Sequence, residues 1–165
     1  MLGEMNTPCQ LINGELIMSP SPSPYHQRIS RILFNKLFNA STSGEVFYAP
    51  IDLYVDNKNV FQPDLVYISA EKESIITSRG IEGTPDLILE ILSPSNIFTD
   101  RNQKKAAYQK IGVREYWIVD PANKTLEIYR HDQTDLDTPT LYLAGEGEVF
   151  SSVLTNLKFD LKEIF

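Results

Sequence analysis

Two acidic residues sit where an apolar strand should not carry them: Asp64 in Phe61-Gln62-Pro63-Asp64-Leu65-Val66-Tyr67-Ile68, and Glu90 in Pro85-Asp86-Leu87-Ile88-Leu89-Glu90-Ile91-Leu92. Burying an ionised carboxylate is strongly unfavourable unless a cation or several hydrogen-bond donors meet it. Two of them in neighbouring apolar strands therefore predict a bound divalent metal. Mg²⁺ needs one or two protein carboxylates, with waters and a substrate phosphate filling its shell, so Asp64 and Glu90 suffice for one ion, with the Ile91 carbonyl completing the protein's share and Mn²⁺ as a substitute. Such an ion suits phosphodiester hydrolysis, which needs a water made nucleophilic at neutral pH and a counter-charge for the transition state.

A lysine beside the metal would orient that water and stabilise negative charge. On the second helix, Asp100, Lys104, Tyr108 and Ile111 follow i, i+4, i+8 and i+11 spacing, with Ala107 between them on the same face. Lys104 thus opens an otherwise apolar, core-facing stripe, and Lys105, rotated by about 100°, should face solvent. Each candidate also has a plainer reading. Asp64 could begin a strand, Glu90 could pair with a buried Arg or Lys, and Lys104 could snorkel or pair with Asp100. Asp86 shares Glu90's strand face by parity and competes for the acid's role, although its position at the strand's start suggests a solvated side chain. Tyr108 and Trp117 lie on apolar faces and read as core.

The elements that must position these residues follow from pattern. Asn13-Gly14 between Gln10-Leu11-Ile12 and Glu15-Leu16-Ile17-Met18 predicts an opening hairpin. Ser19 to Pro24 reads as an extended loop, and Ile29, Ile32, Leu33 and Leu37 give helical spacing between Tyr25 and Asn39. The stretch from Val46 to Val55 reads as one strand interrupted near Pro50. Asp56 to Asn59 turns the chain into the strand bearing Asp64, and a Gly-containing loop from Ser78 to Thr84 leads to the strand bearing Glu90. That strand is apolar on both faces apart from Glu90, the pattern of a central, covered strand. The second helix reads as capped near Thr99 or Asp100 and closed by Gly112. Arg114–Asp120 and Thr125–Arg130 form a hairpin, Leu141–Leu143 a short strand, and Leu157–Phe165 a last apolar segment.

The 165 residues suit one domain, 1–165, which can bury roughly 70% of its unfolded surface. A formal charge of −7 argues against coating nucleic acid through a broad basic field, but a metal site concentrates carboxylates that its ion neutralises. The single Cys9 rules out an intrachain disulfide and a cysteine zinc site. Met1 to Asn6 lacks the pattern of a signal peptide, and no apolar run reaches the roughly 20 residues of a membrane span; the expectation is a cytoplasmic protein with no membrane partner.

Taken together, Pro63-Asp64, Leu89-Glu90-Ile91-Leu92-Ser93-Pro94-Ser95, Asp100 through Lys104 to Tyr108, and Gly112-Val113-Arg114-Glu115-Tyr116-Trp117-Ile118-Val119-Asp120-Pro121 resemble the bacterial Uma family, a domain of unknown function described as restriction-endonuclease-like. The resemblance runs from the Asn13-Gly14 hairpin to about Arg130, and Gly112–Pro121 is its most specific part. It implies a PD-(D/E)XK nuclease core of mixed α/β (α+β) class, with a central mixed sheet flanked by helices and an N-terminal hairpin. Within it, Asp64 matches the motif's Asp and Glu90 its (D/E), while Leu92 stands where the usual lysine would be. Lys104 matches a lysine that the family pattern carries on the following helix. The resemblance includes His26-Gln27, either bordering the metal site or making a helix-start hydrogen bond.

The function expected is Mg²⁺-dependent endonucleolytic cleavage of DNA by a homodimer, since cutting both strands favours paired sites. The alternative is a nuclease-fold module that binds nucleic acid or a protein partner without cutting. The acidic charge, Leu92 and the absence of a separate sequence-reading domain favour that alternative.

Overall fold

A computed structural model describes residues 9–135 and 137–165; Met1 to Asn6 lies outside the described residues. The chain opens with strands β1 (Cys9–Ile12) and β2 (Glu15–Met18), joined by Asn13 and Gly14 at φ 54° and 86°. Two successive positive φ values make the primed turn whose twist matches the strands, which is why Asn-Gly is the sequence found there. Helix α1 (Pro24–Ala40) begins where Ser23 accepts a hydrogen bond from the His26 backbone N–H, with Pro24 in the first turn. Its Ile29, Leu33, Leu37 and Ala40 form the buried stripe.

Two prolines then move the chain between sheets. The segment expected to be one interrupted strand is β3 (Glu45–Tyr48) and β4 (Leu53–Asp56), which lie in different sheets. The run Phe61–Ile68 likewise divides into β5 (Asn59–Phe61) and β6 (Leu65–Ile68), again in different sheets, with Asp64 at the joint immediately before β6. Pro50 and Pro63 have no N–H to donate, so a ladder cannot run through either. Asp64 is therefore not a mid-strand residue. In place of a simple loop before Glu90, a 3₁₀ turn (Ala70–Ile75) leads into two-residue strands β7 (Ile76–Thr77) and β8 (Gly80–Ile81), which pair with each other.

The Glu90 strand is β9 (Leu87–Ile91), buried throughout. It runs antiparallel to β6 and parallel to β10 (Glu115–Asp120), so the central sheet is mixed. That sheet has the order β12-β11-β10-β9-β6-β3, with β11 (Thr125–Arg130) and β12 (Leu141–Ala144) extending it antiparallel. One face packs on α1 and the C-terminal segment, where β13 (Glu148–Phe150) pairs with β14 (Lys158–Asp160). The other is covered by the second sheet, β2-β1-β5-β4-β8-β7, and by α2 (Lys105–Ile111). Strand parity sends Leu87, Leu89 and Ile91 to the α1 face, and Ile88 with Leu92 to the other. Each such fully buried aliphatic side chain stabilises by roughly 1.5–3 kcal/mol, which lets β9 carry one carboxylate at its centre.

The second helix begins as a π-helical segment, Thr99–Lys104, and continues as α2 to Gly112, whose φ of 83° closes it. No side chain caps its start, so Thr99 and Asp100 are helical residues rather than caps. The wider π turn changes the phase of the side chains that follow. Lys105, expected in solvent, is 9% exposed; its ammonium lies 3.9 Å from the centre of the Tyr129 ring and donates to the Asp137 carbonyl. Among the described residues no helix is long and apolar enough to cross a membrane.

Candidate metal centre

Asp64, Glu90, Lys104 and His26 meet at the C-terminal end of β9. The β6–β9 register pairs Leu65 with Leu89, so the next step of the antiparallel ladder carries Asp64 toward Glu90. Asp64 Oδ2 accepts a hydrogen bond of 2.7 Å from the Ile91 N–H and lies 3.3 Å from His26 Nε2. The same His26 nitrogen is 3.1 Å from the Ile91 carbonyl oxygen. His26 thus fills both roles open to it: its backbone N–H starts the helix, and its ring reaches the site. Burial disfavours a charge on this ring, yet the hydrogen bond and charge of Asp64 outweigh that, so its pKa is raised from its ordinary value.

Glu90 Oε1 accepts hydrogen bonds of 2.9 Å from Lys104 Nζ and 2.9 Å from the Tyr108 hydroxyl. Lys104 Nζ also lies 3.0 Å from Asp100 Oδ1, one helical turn before it. Burial opposes the Lys104 ammonium, but Glu90 and Asp100 outweigh it and hold the amine protonated above its usual range. Burial pushes the Glu90 carboxyl up; Lys104 pulls it back, Asp100 and Asp64 push it further, and it reaches about 8. Burial likewise raises Asp100 against the pull of Lys104. The Tyr108 hydroxyl, raised by burial and the nearby Glu90, keeps its proton and donates it.

These groups line a cleft of about 870 Å³, walled on one side by the β1–β2 hairpin and the Pro-rich loop and on the other by Ser93–Asn96. Asp64, Glu90, Asp100, Lys104, His26 and the exposed Gln27 all border it. Leu92, at the position where the motif lysine would stand, lines the same cleft. Asp86 does not. It sits four residues before Glu90, roughly 13 Å along the strand, and is neither solvated nor in the cleft. Its carboxylate accepts from the Ser69 N–H and lies 3.0 Å from Lys72 Nζ and 3.7 Å from Arg114, a structural anchor for the start of β9. Trp117 donates to Glu115 in the core on the α1 face, as its apolar setting implies.

Asp100 is the residue whose part in the site the sequence did not reveal. It is fully buried, and neither carboxylate oxygen has a hydrogen-bond partner among the described residues, although Oδ1 touches the Lys104 ammonium. Its place four residues before Lys104 was the available signal, and it reads equally well as a helix cap.

The donor set fits a hard, sparsely chelated cation. Asp64 and Glu90 each commit a single oxygen to the protein bonds described above, leaving Oδ1 and Oε2 outside them. Three carboxyl groups, Asp64, Glu90 and Asp100, share two basic neighbours, Lys104 and His26, and burial with mutual repulsion raises the pKa of Glu90 and Asp100, so a bound cation would relieve that repulsion. Among the described residues no three or more His, Cys, Asp or Glu side chains are grouped to chelate an ion by themselves. A closed zinc cage therefore does not fit, whereas an ion that keeps most of its waters does. The Ile91 carbonyl, expected as a further ligand, already receives His26.

Comparison with known proteins bears on the same chain segments. Residues 4–162 match the family Uma2, described as "Putative restriction endonuclease". A Synechocystis sp. (strain ATCC 27184 / PCC 6803 / Kazusa) protein, "Uncharacterized protein sll1609", is 30% identical over 127 residues, spanning 73% of this chain and 71% of its own. The crystal structure of "a putative nuclease belonging to DUF820" from Anabaena variabilis ATCC 29413 superposes with a TM-score of 0.79 at 20% identity, covering 99% of this chain and 93% of that one. The shared fold is the restriction-endonuclease-like core.

Proposed function

We propose that this chain, which belongs to the Uma2 family, is a nuclease that hydrolyses DNA phosphodiester bonds with Mg²⁺ held by Asp64 and Glu90. The observation that carries the reading is that these two acids, one at the joint before β6 and one within β9, border one cleft with an uncommitted oxygen each, beside the buried Lys104 ammonium. When bound, Mg²⁺ would polarise the scissile phosphate and lower the pKa of its water. Lys104, held charged by Glu90 and Asp100, supplies a fixed positive charge where negative charge develops on the phosphate and donates a hydrogen bond that orients the attacking water. Tyr108 holds the same Glu90 oxygen as Lys104, and His26 with the Ile91 N–H fixes Asp64 Oδ2. Tyr116, whose hydroxyl donates to the Asp100 carbonyl, anchors the π-helical turn that delivers Lys104.

A module that binds without cutting is the second reading, favoured because Lys104 already neutralises much of Glu90's charge. Calorimetric titration with Mg²⁺ separates the two. The nuclease reading expects a binding heat that disappears in both Asp64→Asn and Glu90→Gln, together with Mg²⁺-dependent cleavage of plasmid and oligonucleotide DNA lost in the same variants. Undiminished heat or cleavage in either variant would falsify it.

A further inference from the structure

The cleft does not end at Asp64. A second hollow of about 350 Å³ adjoins it, sharing His26, Gln27 and Asp64, and is lined further along by Ser30, Arg31, Phe34 and Tyr48. These α1 residues follow the i, i+3, i+4, i+7 spacing of one helix face. Tyr48, at the end of edge strand β3, is 63% exposed, and its ring meets Phe34 edge to face at 5.4 Å between centres. Helix α1 contains no acidic residue in a chain of net charge −7. Arg28 and Arg31 are exposed on it and form no ion pair among the described residues, whereas Lys36 is tied to Glu163.

A site with an exposed aromatic ring and an unpaired guanidinium, continuous with a candidate phosphodiester-cleaving centre, has the chemistry of a nucleotide subsite. Arginine meets phosphate with paired donors, and a tyrosine ring offers a surface to a base. A base in a duplex has both faces covered by its neighbours, so only an unpaired nucleotide can use such a ring. The volume lies within the range of small-ligand pockets. We propose that this hollow takes one unpaired nucleotide of a single-stranded DNA segment next to the cleaved bond, with Tyr48 against its base and Arg31 on its phosphate. This rests on the nuclease reading above and names its substrate as DNA that is single-stranded at that position.

The test is fluorescence anisotropy of the full chain in EDTA, so that nothing is cut, with a labelled oligo-dT strand and a duplex of equal length. The single strand is expected to bind more tightly. Tyr48→Ala should weaken it by about 5- to 150-fold while Tyr48→Phe retains binding, and Arg31→Ala should reduce the slope of log affinity against log salt by about 0.7. Equal binding of duplex and single strand, or unchanged binding in both alanine variants at unchanged melting temperature, overturns the proposal. Because no metal is present, the outcome is separate from that of the nuclease reading. Loss of cleavage in Asp64→Asn tests the chemistry, and the Tyr48 and Arg31 variants test the subsite.

Discussion

Lys104 Nζ lies 2.9 Å from Glu90 Oε1, with the two side chains 3% and 2% exposed and the residues 14 apart in the chain. Removing one member of such a pair leaves a buried charge without its partner, at a cost of about 3–5 kcal/mol. Lys104→Met should therefore lower unfolding free energy in urea by that amount, and adding Glu90→Gln to it should recover part of the loss. A single-variant cost below about 1 kcal/mol would show that the amine and the carboxylate do not depend on one another.

Divalent cation should stabilise the folded chain. An ion at 100 times its dissociation constant adds about 2.7 kcal/mol, visible as a higher melting temperature with Mg²⁺ than in EDTA. Asp64→Asn and Glu90→Gln should melt at the same temperature in both buffers. A Mg²⁺ shift that survives in both variants would place the ion elsewhere.

His26 should report on Asp64 through pH. Its folded pKa is raised, so the stability it contributes is present in full below its ordinary 6.5 and is lost as pH rises through the higher folded value. Burial works in the opposite direction and remains when the Asp64 charge is removed. In Asp64→Asn, NMR titration of the His26 ring should therefore give a pKa below that of the parent chain, and the loss of stability as pH rises past 6.5 should flatten. An unchanged His26 titration would mean that Asp64 is not what sustains its charge.

An amine at position 92 should substitute for Lys104 if the two positions reach the same point in the cleft. Leu92 and Lys104 line the same cleft. Lys104→Met is expected to reduce cleavage by about 10²- to 10³-fold, the usual effect of losing one donor to a developing negative charge. Leu92→Lys in that background should restore part of the rate. If the double variant is folded and no faster than the single one, the position at Leu92 cannot deliver an amine to the reacting phosphate.

The local elements were legible because their signals are short. Asn13-Gly14 encodes its turn in two residues, the Ile29-Leu33-Leu37 stripe encodes a helix face, and an apolar run with one acid marked β9 as a covered strand. The core-facing position of Lys104 was legible too, since helical spacing put it on the apolar side. Lys105 was misread for the complementary reason. A regular α-helical phase was assumed across Thr99–Lys104, and the π turn there carries the side chain against Tyr129 instead.

The sequence by itself determined which residues could form turns, helices and buried strands, because propensity and periodicity act over a few neighbouring residues. It also marked Asp64, Glu90 and Lys104 as charges in apolar company. Only the tertiary structure decided that Pro50 and Pro63 pass the chain from one sheet to the other, that His26 arrives against Ile91 from 65 residues away, and that the Asp100 carboxylate is buried against Lys104 with no hydrogen-bond partner among the described residues. Those outcomes depend on how two sheets and a helix close around a shared cleft, and the free energy of a buried charge is set by whatever that closure brings near it.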